Sequence, residues 1–341
     1  LAGQAGARSD RGDRAPDPRA ALIKQSKRES GLVFYANAPA SNLKIVTDRF
    51  KTLHPWVQTT AYDLDNNVIF SKYASEAAQG TRTADLLISS APNLWVYAKR
   101  KRYMVNYDPL ELKAFPAFTK QYPGVFIISP DPAIIMYNKL VLKDKVPRSL
   151  TQMANDSRTY GKLTGYTVDN LFGYTGLWGY VQKKGWSNLA KIGKDRFRAQ
   201  TGVAGQRSLV SQGAAVAAYL TSPTVRLGIE TDPDLSRILG WTYNKDATPL
   251  VPRGMGITRK AASPATAKLF LNWIYSKAGQ QTMCDAGFTA FRNGFTPKNC
   301  KNTLADVYAK VGRKNVILVP FSQKFVNDYP KFRARWHGIF G

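Results

Sequence analysis

Apolar and polar positions group along the chain into blocks that alternate between helix and strand. Ala20 to Ile23, the helix formers behind them and Gly31 predict a helix over 19–31. "LVFYANAP", 32–39, is a short apolar run that breaks at Asn37 and Pro39, as a buried strand does. Ser41 and Asn42 then open a helix over 40–54, with Leu43, Val46, Phe50 and Leu53 at helical spacing. "WVQTTAYDL" reads as a second strand. "DNNVIFSKYASEAAQG" reads as a helix capped by Asp65 or Asn66 and closed by Gly80, and "ADLLISS" as a third strand. Right-handed crossovers make such a series a parallel sheet with helices on both faces. Three turns then gather at one edge: Asn37 to Ser41, Asp63 to Asn67, and Ser89 to Ala91. The third closes a buried strand in small hydroxyl side chains just before a helix. It offers free backbone N–H groups at the sheet edge where open α/β folds bind ligands.

The second half repeats this plan. "VFIISPDPAIIMYNKLVLK", 125–143, is rich in β-branched residues. "KLTGYTVDN", 162–170, is a strand running into the aromatic helix "LFGYTGLWGYVQKKGW". A helix near 204–212 precedes a strand from Ala215 to Leu220, which ends in Thr221-Ser222-Pro223. Beyond "LVPRGMGITRK", Ser263-Pro264 starts a helix that turns Ala267, Leu269, Phe270, Trp273 and Ile274 inward. The end of the chain is helical and aromatic.

Composition narrows the picture. With 341 residues, 44% apolar, two α/β lobes are expected rather than one core. Lys and Arg number 49 against 23 acids, a net charge of +26. Such a field favours anionic partners, although a solvated basic surface is the plainer reading. Only "AKRKRYMVNY", 98–107, interleaves bases with aromatics, and no helix-turn-helix, zinc-finger or RNA-binding signature occurs. Nor do GxSxG, HExxH or P-loop motifs, so enzyme readings have no foothold. No apolar run reaches the ~18 residues of a membrane span. Cys284 and Cys300 either bridge, in an oxidising compartment, or remain free buried thiols; a bridge would contribute roughly 3 kcal/mol. Leu1 in place of an initiator Met suggests a processed chain whose targeting segment is missing from view.

The segment "RAALIKQSKRESGLVFYANAPASNLKIVTDRFKTLHP" resembles the start of mature solute-binding proteins of bacterial ABC importers, family 1, the iron(III)-binding-protein-like branch. "ASEAAQGTRTADLLIS", "MYNKLVLKDKVPRSLTQMAN", "SLVSQGAAVAAYLTSP" and "SPATAKLFLNWIYSKAGQQTMCDAGFTAFRNGFTP" are similar to later family segments, in order. Met153-Ala154 replaces a usual Asp-Leu, and Ala214 a usual acid. The resemblance implies a type II periplasmic-binding-protein fold, two doubly wound α/β lobes joined by two crossing strands. It implies a protein exported to the periplasm that closes on a small molecule and hands it to a membrane permease, with no catalysis; a monomer with no cofactor and no nucleic-acid partner is expected, and the charge alone keeps a basic nucleic-acid-binding protein as an alternative. The expected division is a flexible arm over 1–18, lobe 1 over 19–128 plus 253–341, and lobe 2 over 129–252.

Iron-binding members carry paired tyrosines after the strand that here reads "AAYLTSPT", where this chain has Pro223-Thr224. The two histidines, His54 and His337, lie away from strand ends, so the hard oxygen set ferric iron wants is not apparent and iron stays an alternative only. The strand edges offer hydroxyl, amide and N–H donors instead. Candidate ligand contacts are Asn37, Ser41, Asn66, Ser89, Ser90, Thr167, Thr175, Thr201, Thr221 and Ser222. Tyr137 is a candidate cleft wall and Arg253 a bidentate clamp. Helix N-termini beside such donors suit a carboxylate, phosphonate or phosphate. Ser41, Asn66 and Ser89 serve equally well as plain helix caps. Tyr35, Trp95, Tyr137 and Tyr174 are more often core than platform. Asp65, Asp85 and Asp169 keep an amine-bearing solute as a minor option.

Overall fold

In the computed structural model, residues 17–143, 145–194 and 197–341 are described. Short strands, most of them followed within a few residues by a helix, build two sheets. The strands are β1 (Leu32–Ala36), β2 (Thr59–Asp63), β3 (Leu86–Ser89), β4 (Lys120–Tyr122), β5 (Val125–Pro132), β6 (Ile134–Asn138), β7 (Leu163–Tyr166), β8 (Arg198–Gln200), β9 (Ala217–Thr221), β10 (Leu239–Tyr243), β11 (Thr248–Ile257) and β12 (Val316–Leu318). The first sheet runs β2-β1-β3-β11-β5-β4, with β12 on β11. The second runs β10-β6-β9-β7-β8. β1, β2 and β3 are parallel, as the helical crossovers require.

The chain leaves the first sheet through β5 and enters the second through β6. The Ala133 amide between them donates to Pro249 O of β11 at 2.9 Å. It returns from β10 into β11. These paired passages are the two crossing strands of a type II periplasmic-binding-protein fold. The change of sheet falls at Ala133 and between Tyr243 and Thr248, so 128/129 and 252/253 lie inside β5 and β11. The sequence hid this because both strands run on, buried along their full length, through the change of sheet.

The apolar core of the first lobe runs on into Ile134, Met136, Leu239 and Tyr243 of the second, which also has a further core of its own. In the first, Phe34 meets Phe270 and Phe50 meets Phe270, both edge to face, with ring centroids 4.7 and 5.1 Å apart. Gly80 closes helix Asn66–Gln79 at φ 69°, the left-handed conformation its C-cap position calls for. In the second lobe, helix Leu171–Lys184 buries Tyr174, Trp178 and Tyr180. The final helix, Gln323–Phe340, packs Phe325, Phe332 and Trp336 into that same core. There Trp178 Nε1 donates to Asp328 at 2.9 Å and the Tyr174 hydroxyl to Phe325 O at 2.7 Å, while Val326 lies against the first-lobe cluster of Trp95 and Phe321, so the helix expected with lobe 1 touches both lobes. Of the expected arm over 1–18, residues 1–16 lie outside the described residues. Asp17 and Pro18 are ordered parts of a helix start, with the Asp17 carboxylate accepting the Arg19 amide at 2.9 Å. Cys284 and Cys300 form a disulfide with Cα atoms 5.9 Å apart.

Candidate functional site

The carboxyl ends of β1, β2 and β3 face those of β7, β8 and β9 across an interlobe cleft. Three adjoining cavities of about 250, 250 and 160 Å³ make up its interior. They share Asp65, Asn170 and Thr201 on one side and Pro39, Val203, Ala204 and Thr224 on the other. A cavity of about 500 Å³ beside Phe118, Phe291 and Tyr308 draws on the first lobe alone and lies outside this cleft.

Of the candidate residues, Asn37, Ser41, Asn66, Thr167, Thr201, Ser222 and Arg253 line the cleft. Ser89 and Ser90 sit behind it, fully buried. Ser89 Oγ donates to Asn66 Oδ1 at 2.6 Å and Ser90 Oγ to Asn37 Oδ1 at 2.8 Å, so each hydroxyl aims a lining amide. Thr175 is turned into its helix, donating to Leu171 O at 2.6 Å. Thr221 is buried within the second lobe and lines none of these cavities. Tyr137 covers Gly240, where a Cβ would stand 2.5 Å from the ring. Strand ends, caps and core share these residue types, which is why the sequence grouped them.

The Arg253 clamp needs correction. Its Nε and Nη2 reach Asp131 Oδ2 at 2.9 and 2.7 Å, and its Nη1 donates to Asn37 O. Asp131 also accepts from Ser129 Oγ, which takes the Thr289 amide at 2.8 Å. Burial pushes the Asp131 carboxyl up, and the Arg253 guanidinium pulls it back. The guanidinium fork is thus occupied by the protein, and Arg253 holds the β1 turn in place. Asp85 is likewise internal, accepting the Val33 and Ser263 amides and both Arg82 Nη atoms.

Two further charges of the cleft, Asp63 and Arg207, were not singled out by sequence. Asp63, the last residue of β2, lies beside the Ala38 and Ala40 amides. Desolvation by the cleft walls, then Asp65, raises its pKa. Arg207, on helix Val203–Ser211, lines the smallest cavity and makes no ion pair among the described residues. That helix begins at Gly202, which has no side chain to cap it, so its first amides face the cleft unclaimed. Tyr166 and Phe172, rings 5.3 Å apart, form a wall. Burial pushes the Tyr166 phenol up. At the mouth, burial opposes the charge on Asp169, but Arg333 at 2.5 Å and His337 at 3.1 Å hold its pKa low. Near the rim Asn42 Nδ2 spans the lobes, donating to Ala286 O at 2.7 Å and to Thr224 O at 3.4 Å. No group of three or more His, Cys, Asp or Glu at metal-binding distance occurs among the described residues.

The model of the bacterial extracellular solute-binding protein family matches residues 36–281. The chain belongs to this family. It is a family of solute-binding transport proteins, not of enzymes, and no helix among the described residues is long and apolar enough to cross a membrane. A search of curated proteins gave no significant match. Solved structures share the fold. The substrate-binding protein of an ABC transporter from Agrobacterium tumefaciens aligns with a TM-score of 0.79 at 20% identity, over 91% of this chain and 95% of its own. A periplasmic binding protein from Actinobacillus pleuropneumoniae with fructose-6-phosphate bound gives 0.73 at 15% identity, over 91% and 98%. Iron-bound HitA from Pseudomonas aeruginosa gives 0.68 at 14%, over 90% and 99%.

Proposed function

We propose that this solute-binding protein is the periplasmic component of an ABC importer. It captures a small polar solute bearing one anionic group (carboxylate, phosphonate or phosphoryl) and hydroxyl groups. The observation that carries this reading is the division of charge across the cleft. The second lobe presents Arg207 and the uncapped start of helix Val203–Ser211. These suit the anionic end. The first lobe presents the carboxyl groups of Asp63 and Asp65, acceptors for hydroxyls. The fructose-6-phosphate held by the Actinobacillus pleuropneumoniae neighbour has this make-up. Hinge motion at Ala133 and at 244–247 brings the two edges onto one molecule. The protein then acts as a monomer, passes its solute to a membrane permease and has no nucleic-acid partner.

One observation favours a second reading. Two carboxyl groups beside Tyr166 and Phe172 also suit an amine-bearing cation. A thermal-shift panel on refolded, ligand-stripped protein decides. It holds sugar phosphates, phosphonates, carboxylic acids, polyamines, thiamine and ferric iron. A ligand at about a hundred times its dissociation constant adds about 2.7 kcal/mol, a shift of several degrees. Shifts confined to anionic compounds are expected. Shifts confined to amines or to ferric iron overturn the proposed class.

A further inference from the structure

The "KRKR" run of residues 99–102 plays no part in the cleft. Helix Pro92–Arg100 ends there in a tight turn. The Lys101 amide donates to Tyr97 O at 3.0 Å and the Tyr103 amide to Ala98 O at 3.1 Å, while Arg102 takes a left-handed φ of 52°. All four bases are exposed. A second turn, following β11, is tied beside the first: the Arg259 amide donates to Tyr103 O at 2.8 Å and its Nε to Met104 O at 3.4 Å. It adds Arg259 and Lys260, both exposed. None of these six cations makes an ion pair among the described residues. Asp85, adjacent through the Thr258 amide, is buried and already holds Arg82.

Register fixes where this patch lies. Ser89 marks the cleft end of β3, and Leu86, at the other end, pairs with Ile257 of β11. The turn after Ile257 therefore leaves at the pole of the first lobe opposite the cleft. Helix Pro92–Arg100 runs back from the cleft edge to the same pole.

We propose that this pole is a docking surface for an anionic lipid bilayer, formed by Lys99, Arg100, Lys101, Arg102, Arg259 and Lys260. The cations stand on the tips of two turns and line none of the cavities described above, so they present a diffuse field rather than a shaped pocket. A plane of lipid headgroups matches that field. Tyr97 and Tyr122 lie under the cations, with Lys101 5.7 Å from the first ring and Lys99 4.3 Å from the second. Half-buried tyrosines of this kind suit the headgroup level. Docked this way, the protein keeps its cleft toward solution. The proposal is independent of the ligand class.

The test is flotation of the full chain with vesicles of phosphatidylcholine alone or with roughly a quarter phosphatidylglycerol. Binding is expected only with the anionic lipid, and release in about 0.5 M sodium chloride, where the Debye length is well below 10 Å. Each cation is worth about fivefold in partitioning. Lys99→Gln/Arg100→Gln/Lys101→Gln/Arg102→Asn should lose at least about tenfold. If that variant melts early, Arg259→Gln/Lys260→Gln on the second turn carries the same test. Lys301→Gln/Lys310→Gln/Arg313→Gln/Lys314→Gln removes as much charge elsewhere and should stay within about twofold. Equal loss in that control, equal binding to neutral vesicles, or patch-dependent binding to duplex DNA but not to vesicles would each overturn the proposal.

Discussion

The two edges of the cleft are built differently. The first-lobe edge is interlocked from behind: Ser89 aims Asn66, Ser90 aims Asn37, and the Thr289–Ser129–Asp131–Arg253 chain ends on Asn37 O. The second-lobe edge has shorter, outward ties. Asn170 donates to Thr201 O at 2.7 Å and caps Gly173, while Gly202 leaves its helix open. A fixed edge costs little further ordering when a solute arrives, and an open edge keeps donors for it. The comparison teaches that the buried Arg253 belongs to the frame, whereas the half-buried Arg207, without an ion pair among the described residues, is the cation left for the proposed anionic solute.

The sharpest way to break that contrast is Arg253→Met. It leaves the Asp131 carboxylate buried without its partner, so a loss of about 3–5 kcal/mol is expected by chemical denaturation. Adding Asp131→Leu should recover much of it. If Arg253→Met melts normally and only loses ligand, the residue belongs to the ligand after all. Next in size, reduction of Cys284–Cys300 should cost roughly 3 kcal/mol in the same assay. Arg207→Gln should weaken an anionic solute by about 1.5–3 kcal/mol while leaving the melt unchanged.

The smallest effect concerns Asp63, whose pKa is raised in the folded state by cleft desolvation and by Asp65. A raised acid favours the folded protein when protonated. Its contribution is full below the unfolded value near 3.8 and is lost as pH rises through the folded value. Ligand-free Asp63→Asn should therefore lack this fall in melting temperature between mildly acid and neutral pH, and should bind hydroxyl-bearing solutes less well. Identical pH profiles for Asp63→Asn and wild type would remove the desolvated carboxyl from the picture.

Most of the frame was legible because local signals agreed. Asn37-Pro39, Asp65-Asn66 and Ser222-Pro223 each close a strand and start a helix or turn. The strands at 120–122, 198–200 and 316–318 escaped notice because three residues carry no periodicity. The final helix shows its aromatic stripe plainly, but nothing local says that it touches both lobes. At the site, strand-edge position was readable and side-chain direction was not. Ser89 and Ser90 turn inward while Asn37 and Asn66 turn out, a choice made by packing across β1, β2 and β3. Arg253 looked free because its partner, Asp131, lies 122 positions away in sequence. Asp63 and Arg207 passed as ordinary surface charges, since only lobe-on-lobe placement makes them neighbours of one cavity system.

The most direct measurement is calorimetric titration of the ligand-stripped protein and of Arg207→Gln with the strongest anionic compound from the panel. The expected result is a rise in dissociation constant of about tenfold to a hundredfold in the variant, with melting temperature unchanged. Equal affinities would contradict the assignment of the anion to the second-lobe edge.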